Sequence, residues 1–167
     1  MSVIAKMNVS SVREFGAANL VKLSCVYESN GLNGEGYEDR RFTKATPWGE
    51  GDLTSPHAGF REDAPTQSLY LLFAAKPQDP NFDANPMGGG ALLIMPVMVK
   101  RFIEWGASRQ VEIVLDRDAE HEPNSALNLR LAIDNPGAHE QFSEGKRFQL
   151  LVYDAAEVSL AVAASGA

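Results

Sequence analysis

Cysteine is nearly missing from this chain: Cys25 stands alone among 167 residues. A single thiol excludes an intrachain disulfide and a cysteine zinc cluster. Its place in an apolar alternation reads as a buried, inert thiol. Histidine is almost as scarce, with His57, His121 and His139 far apart in the chain. No nucleophile motif of the GxSxG kind accompanies them, and their spacing is not that of metal ligands. Positive charge is short too, for the net charge is −7. Residues 50–123 hold six basic against twelve acidic residues and so carry nearly all the excess. An acidic chain is a poor match to a phosphate backbone, so nucleic acid is not the expected partner. Long apolar runs are missing as well, none approaching the roughly 18 residues of a membrane span. Lys6 interrupts the first apolar run, which is unlike a secretion signal; the chain is expected to be soluble and made in the cytoplasm. Internal repeats, heptads and low-complexity tracts are not visible.

What is present is alternation. Val3, Ala5, Met7 and Val9 share one face of a first strand, and Val21, Leu23, Cys25 and Tyr27 one face of a second. Arg13–Ala18, with Gly16, reads as the turn between them. Ser29–Asp39 is loop by its Gly and Asn content, and Arg41–Thr46 is a short strand closed by Pro47. Gly51–Thr66 reads as loop. Ser68–Ala75 is a continuous apolar run, read as a strand buried on both faces. In Ala91–Trp105 the Val and Ile content suits a strand, whereas Pro96 and Gly106 suit the two ends of a helix; a strand leading into a short helix is expected. Gln110–Asp116 is a strand. Leu127, Leu129, Leu131 and Ile133 alternate with polar residues, as do Phe148, Leu150 and Val152, with a short helical connector expected over Gly137–Phe142. The sum is a mainly β fold, a barrel or sandwich of six or seven strands with one or two short helices.

Sites of chemistry are few. Asp79, Asn81, Asp83 and Asn85 alternate as in a calcium loop, but Ala84 and Gly90 stand where an EF-hand needs glycine and glutamate. Asp116, Asp118, Glu120 and Glu122 read as a water-facing charge cluster. Gly88–Gly90 lacks any phosphate-loop pattern and reads as a hinge. Tyr27, Tyr70, Phe148 and Tyr153 suit core or interface packing better than base stacking, for want of a basic groove. We therefore expect no catalytic residue, no cofactor and no bound metal.

VIAKMNVSSVREFG, VKLSCVY, RRFTKATPWGE and LRLAIDNPGAHEQFSEGKRFQLLVYDAAE together resemble a family of small proteins of tailed bacteriophages and prophages. The shared pattern falls on Ile4–Met7, Val21–Leu23, Phe42–Pro47 and Ile133–Lys146, about half of the chain. The resemblance implies a single domain in which 1–49 and 124–157 form a β-core. Residues 50–123 would then be an inserted elaboration and 158–167 a C-terminal tail. It also implies a non-enzymatic virion structural protein, most specifically a capsid decoration (cement) protein. Its partners would be the major capsid protein or other virion subunits, and it would act as a homo-oligomer located in the virion. Contacts are expected through 91–105 and the tail, the tail or an exposed sheet edge adding strands to a neighbour. The alternative is a phage single-stranded nucleic-acid-binding or replication accessory protein on an oligonucleotide-binding-type barrel.

Overall fold

A computed structural model describes residues 3–25, 49–62, 66–74, 90–106, 108–133 and 139–157. They form eight strands: β1 (Val3–Phe15), β2 (Ala18–Cys25), β3 (Glu50–Ser55), β4 (Ser68–Ala74), β5 (Leu93–Trp105), β6 (Ser108–Leu115), β7 (Ala126–Ile133) and β8 (Arg147–Asp154). Every ladder is antiparallel, and the strands close into a barrel in the order β1-β2-β3-β7-β6-β5-β8-β4. Within that ring β4-β1-β2-β3 is one Greek key and β8-β5-β6-β7 is a second. The architecture is thus mainly β, with eight strands where six or seven were expected.

Three differences from the sequence reading have local causes. Residues 51–55, expected as loop, belong to β3; the strand is only six residues long and begins EGD, so few apolar positions betray it. β1 and β5 each run 13 residues, and neither turns into helix. Both carry a β-bulge, between Val9 and Ser11 in β1 and between Val99 and Arg101 in β5. A bulge adds a residue and shifts the inward phase, so the buried series Leu93, Met95, Val97, Val99 resumes at the partly buried Phe102. A period-two pattern with a phase jump looks like two short elements, which is why the helix reading arose. Pro96 is tolerated because it precedes the first β5–β6 register pair, Val97↔Leu115. Its carbonyl accepts from the Asp116 N–H at 2.9 Å, and the missing N–H falls at the outer end of that ladder.

The two halves repeat each other. Phe15 pairs with Ala18 around Gly16, and Trp105 pairs with Ser108 around Gly106, with φ of 61° and 59° at the two glycines. A positive φ at the first residue after the closing pair is what the primed hairpin turns require, and glycine adopts it without Cβ strain. Ile4, Val9, Glu14, Gly16, Ala17 and Val21 recur as Ile94, Val99, Glu104, Gly106, Ala107 and Val111. Val21↔Leu53 corresponds to Val111↔Leu131, and Val3↔Phe73 to Leu93↔Val152. By that correspondence Gly51 matches Leu129 and Leu72 matches Leu151, and each pair is also directly opposed in its own ladder. A pseudo-two-fold axis therefore crosses the barrel wall at Gly51/Leu129 and at Leu72/Leu151.

The inward side chains of the described strands form one apolar core. Ala5, Met7, Val21, Leu53, Leu71, Phe73, Met95, Val97, Ile113, Leu129 and Leu150 are among the buried side chains of one continuous core. The chain crossing from β3 to β4 adds Phe60 to this core, and the chain crossing from β7 to β8 adds Phe142. Phe142 meets Phe73 edge-on at 5.6 Å between ring centres and Phe148 at 5.2 Å. The expected connector helix is described only from His139, where one turn closes with the Phe142 N–H donating to the His139 carbonyl at 3.1 Å.

Residues 50–123 contribute β3 to β6, half of the strands in the ring. β7 pairs with β3 and β6, and β8 with β4 and β5. No ladder joins β1 or β2 directly to β7 or β8, so the segment expected as an elaboration carries the connection between the two ends of the chain.

Candidate binding surface

Outward-facing residues on successive strands fall into a row of directly opposed partners. Arg101 lies opposite Glu112, Glu112 opposite Arg130, Arg130 opposite Glu50, Glu50 opposite Ser24, and Ser24 opposite Asn8. The signs alternate over β5, β6, β7 and β3, which is the favourable arrangement for cross-strand neighbours. Arg101 Nε donates to Glu112 Oε2 at 2.7 Å, and Arg130 Nη1 stands 4.0 Å from Glu50. The Glu112 side chain is only 9% exposed while Arg101 above it is 67% exposed, so the guanidinium roofs the carboxylate. The row ends where Ser68 Oγ donates to Asn8 Oδ1 at 2.9 Å.

Two shallow concavities lie along this surface on either side of the pseudo-axis. One, of about 490 Å³, is walled by Phe102, Ile103, Val111 and Leu131, with Arg101 and Glu112 at its rim. The other, of about 590 Å³, is more polar and lies over Lys22, Ser24, Glu50, Asp52 and Asn128. Both are open to solvent. This surface can hold another macromolecular surface through side chains, but it does not enclose a small molecule.

A second polar cluster ties the β3–β4 crossing to the barrel. Asp154 Oδ2 accepts from Gln67 Nε2 at 2.9 Å and from Arg61 Nη1 at 3.2 Å, and Oδ1 accepts from the Ala156 N–H at 3.0 Å. Burial pushes the Asp154 carboxyl up, but the Ala156, Gln67 and Arg61 contacts together outweigh it and hold the group below its ordinary value of 3.8. Gln67 also donates to the Gly59 carbonyl, and its own oxygen accepts from the Arg61 N–H. The cluster fixes a crossing chain and leaves its carboxylate fully engaged, so its role is structural.

The histidines stay apart. His57 Nε2 lies 3.2 Å from Glu122, His121 Nδ1 is 2.9 Å from the Ala119 carbonyl, and His139 Nε2 is 2.6 Å from the Ile133 carbonyl. Among the described residues no group of three or more His, Cys, Asp or Glu could hold a metal ion. The acidic run 116–122 is only partly water-facing, because Asp116 is fully buried and stands 3.6 Å from Arg147. Asp118 and Glu122 keep their exposure. Phe148 and Tyr153 are buried and Tyr70 is half-buried, so the strand aromatics belong to packing. Tyr27, Arg41–Thr46, the 79–85 loop, Gly88, Gly89 and the tail 158–167 lie outside the described residues, as does the Cys25 side chain.

The charge row was missed in the sequence. Arg101, Glu112, Arg130 and Glu50 do sit on the polar phase of their strands. Only the ladder registers, which join residues far apart in the chain, reveal that they meet. No protein-family model matches the chain, and no curated protein matches it either.

Proposed function

We propose that this protein is a non-enzymatic structural protein of a tailed-phage virion, acting as a capsid decoration protein that bridges neighbouring capsid subunits. The observation that carries this reading is the apolar-cored barrel. Phe60 and Phe142 join its core, and large apolar side chains remain on its outside: Phe15, Ile94 and Ile103 are 64%, 47% and 57% exposed. Such a body offers surface for subunit contact and little room for a substrate. The phage-like pattern in the two ends of the sequence supports the same reading.

The mode of contact follows from closure. Every described strand has a neighbour on each side over most of its length, so bridging works mainly through outward side chains and the protruding hairpins. Strand addition to a neighbour is confined, among the described residues, to the ends of β1 and β5 that run past their partner strands β4 and β8. The test is mass spectrometry of purified particles from the phage or prophage encoding the chain, with rebinding of purified protein to stripped capsids. Saturable binding at a fixed ratio to the major capsid subunit is expected. Absence from particles together with no rebinding overturns the proposal. An eight-stranded double Greek key also differs from the five-stranded oligonucleotide-binding barrel of the alternative reading; salt-sensitive retention of an oligonucleotide would revive that alternative.

A further inference from the structure

β5 outruns its neighbour β8. Their ladder covers Leu93↔Val152 to Met98↔Arg147, and Val99 adds bonds to Gly145 and Lys146. From Lys100 to Trp105 the strand is paired with β6 alone among the described residues. In a hairpin closed by the Trp105–Ser108 pair, alternate residues turn their backbone groups away from the partner strand, here Phe102 and Glu104. Among the described residues these groups have no ladder partner, along an edge whose Lys100, Arg101, Ile103 and Glu104 are all exposed.

We infer that this edge pairs antiparallel with the same edge of a second copy of the chain, giving a two-fold dimer. A bulge and flanking charges guard an edge against indiscriminate pairing. They admit a partner whose charges run in the reversed order, and the segment read antiparallel to itself supplies that order. Pairing centred on Phe102 sets Lys100 against Glu104 of the second copy, twice by symmetry, and Arg101 against Ile103. Glu104 is prepared for this: its Oε1 takes both Arg109 contacts, from Nε at 2.9 Å and from Nη2, which leaves Oε2 for an ammonium group. The equivalent edge of β1, Ser10–Phe15, lacks the complementarity, because pairing centred on Val12 sets Ser10 against Glu14 and Ser11 against Arg13. Charge therefore selects one of two otherwise matching edges.

The dimer stands or falls independently of the virion role. Sedimentation velocity of the full chain between roughly 1 and 200 µM reads it directly. The wild type is expected to pass from monomer to dimer across that range. Lys100→Glu sets like charges opposed at both ends and raises Kd at least about tenfold, while Lys100→Glu with Glu104→Lys recovers most of the loss. Arg13→Glu, on the other edge, leaves Kd unchanged. A wild type that stays monomeric throughout overturns the inference. So does a Lys100→Glu chain with wild-type Kd, or an Arg13→Glu chain weakened as much as Lys100→Glu.

Discussion

Gly51 lies directly opposite Leu129, at one of the two points where the pseudo-two-fold axis crosses the barrel wall. A Cβ on Gly51 would come within 2.7 Å of Leu129 Cδ1 and 2.9 Å of the Asn128 carbonyl oxygen. The side chain can yield; the backbone oxygen cannot yield without moving β7. At this crossing a small residue faces a large one and the two halves differ, whereas at the other crossing Leu72 faces Leu151.

Gly51→Ala is expected to lower unfolding free energy by about 1–3 kcal/mol, the usual cost of overpacking. Urea denaturation followed by circular dichroism measures it. A neutral outcome would mean that β3 and β7 separate more easily than their register implies.

The hairpin glycines make a matched pair. Gly16 and Gly106 have open space around them and φ near 60°, so substitution strains the backbone without a clash. Gly16→Ala and Gly106→Ala should each cost about 1–2 kcal/mol. Equal losses within about 0.5 kcal/mol, additive in the double variant, are expected of equivalent and distant turns. Thermal melts of the three variants decide this.

Arg101 screens a nearly buried carboxylate. Arg101→Ala is expected to destabilise the fold by about 1–2 kcal/mol, discounted for the exposure of the guanidinium. Glu112→Gln added to it should recover part of the loss by removing the stranded charge. If the double variant is less stable than Arg101→Ala alone, Glu112 has a second partner in solution.

The Asp154 carboxyl is held below its ordinary value of 3.8 in the fold. A depressed carboxyl stabilises the folded state above its unfolded value, and this stabilisation fades as pH falls from about 4 through the lower folded value. Wild type should therefore lose stability in that acid window more steeply than Asp154→Asn, while at pH 7 the variant is the weaker of the two. Melting temperatures from pH 2 to 7 test both halves; parallel curves would assign the acid sensitivity to other groups.

Much of the barrel was legible from alternation. β6, β7 and β8 are read close to their observed bounds from alternation, β4 from its continuous apolar run, and β2 from Val21 although it begins at Ala18. β1 and β5 were half-legible, since the bulges at Val9/Ser11 and Val99/Arg101 reset the phase midway. The repeat escaped notice because its identities, such as Glu14-Phe15-Gly16-Ala17 against Glu104-Trp105-Gly106-Ala107, are spread thinly through a chain whose packing tolerates exchange of one apolar residue for another. Gly16 was read as a turn residue and Gly106 as a helix end, although the two do the same thing. The Arg101–Glu112–Arg130–Glu50 row was out of reach, since a register sets which strands meet and no single strand contains it.

The ring order has a consequence for how the protein is made. β8 is the last of the described strands to leave the ribosome, yet it sits between β4 and β5, the members of the two Greek keys that it joins. Until Arg147–Asp154 emerges, SLYLLFA and LIMPV are left with bare edges and nothing to pair with. Such long-range closure is slow and leaves the nascent chain open to association. A chain stopped after Lys146 should sediment as aggregate when translated without chaperones, and a separately supplied β8 peptide should rescue part of it. Among the described strands the keystone is made last.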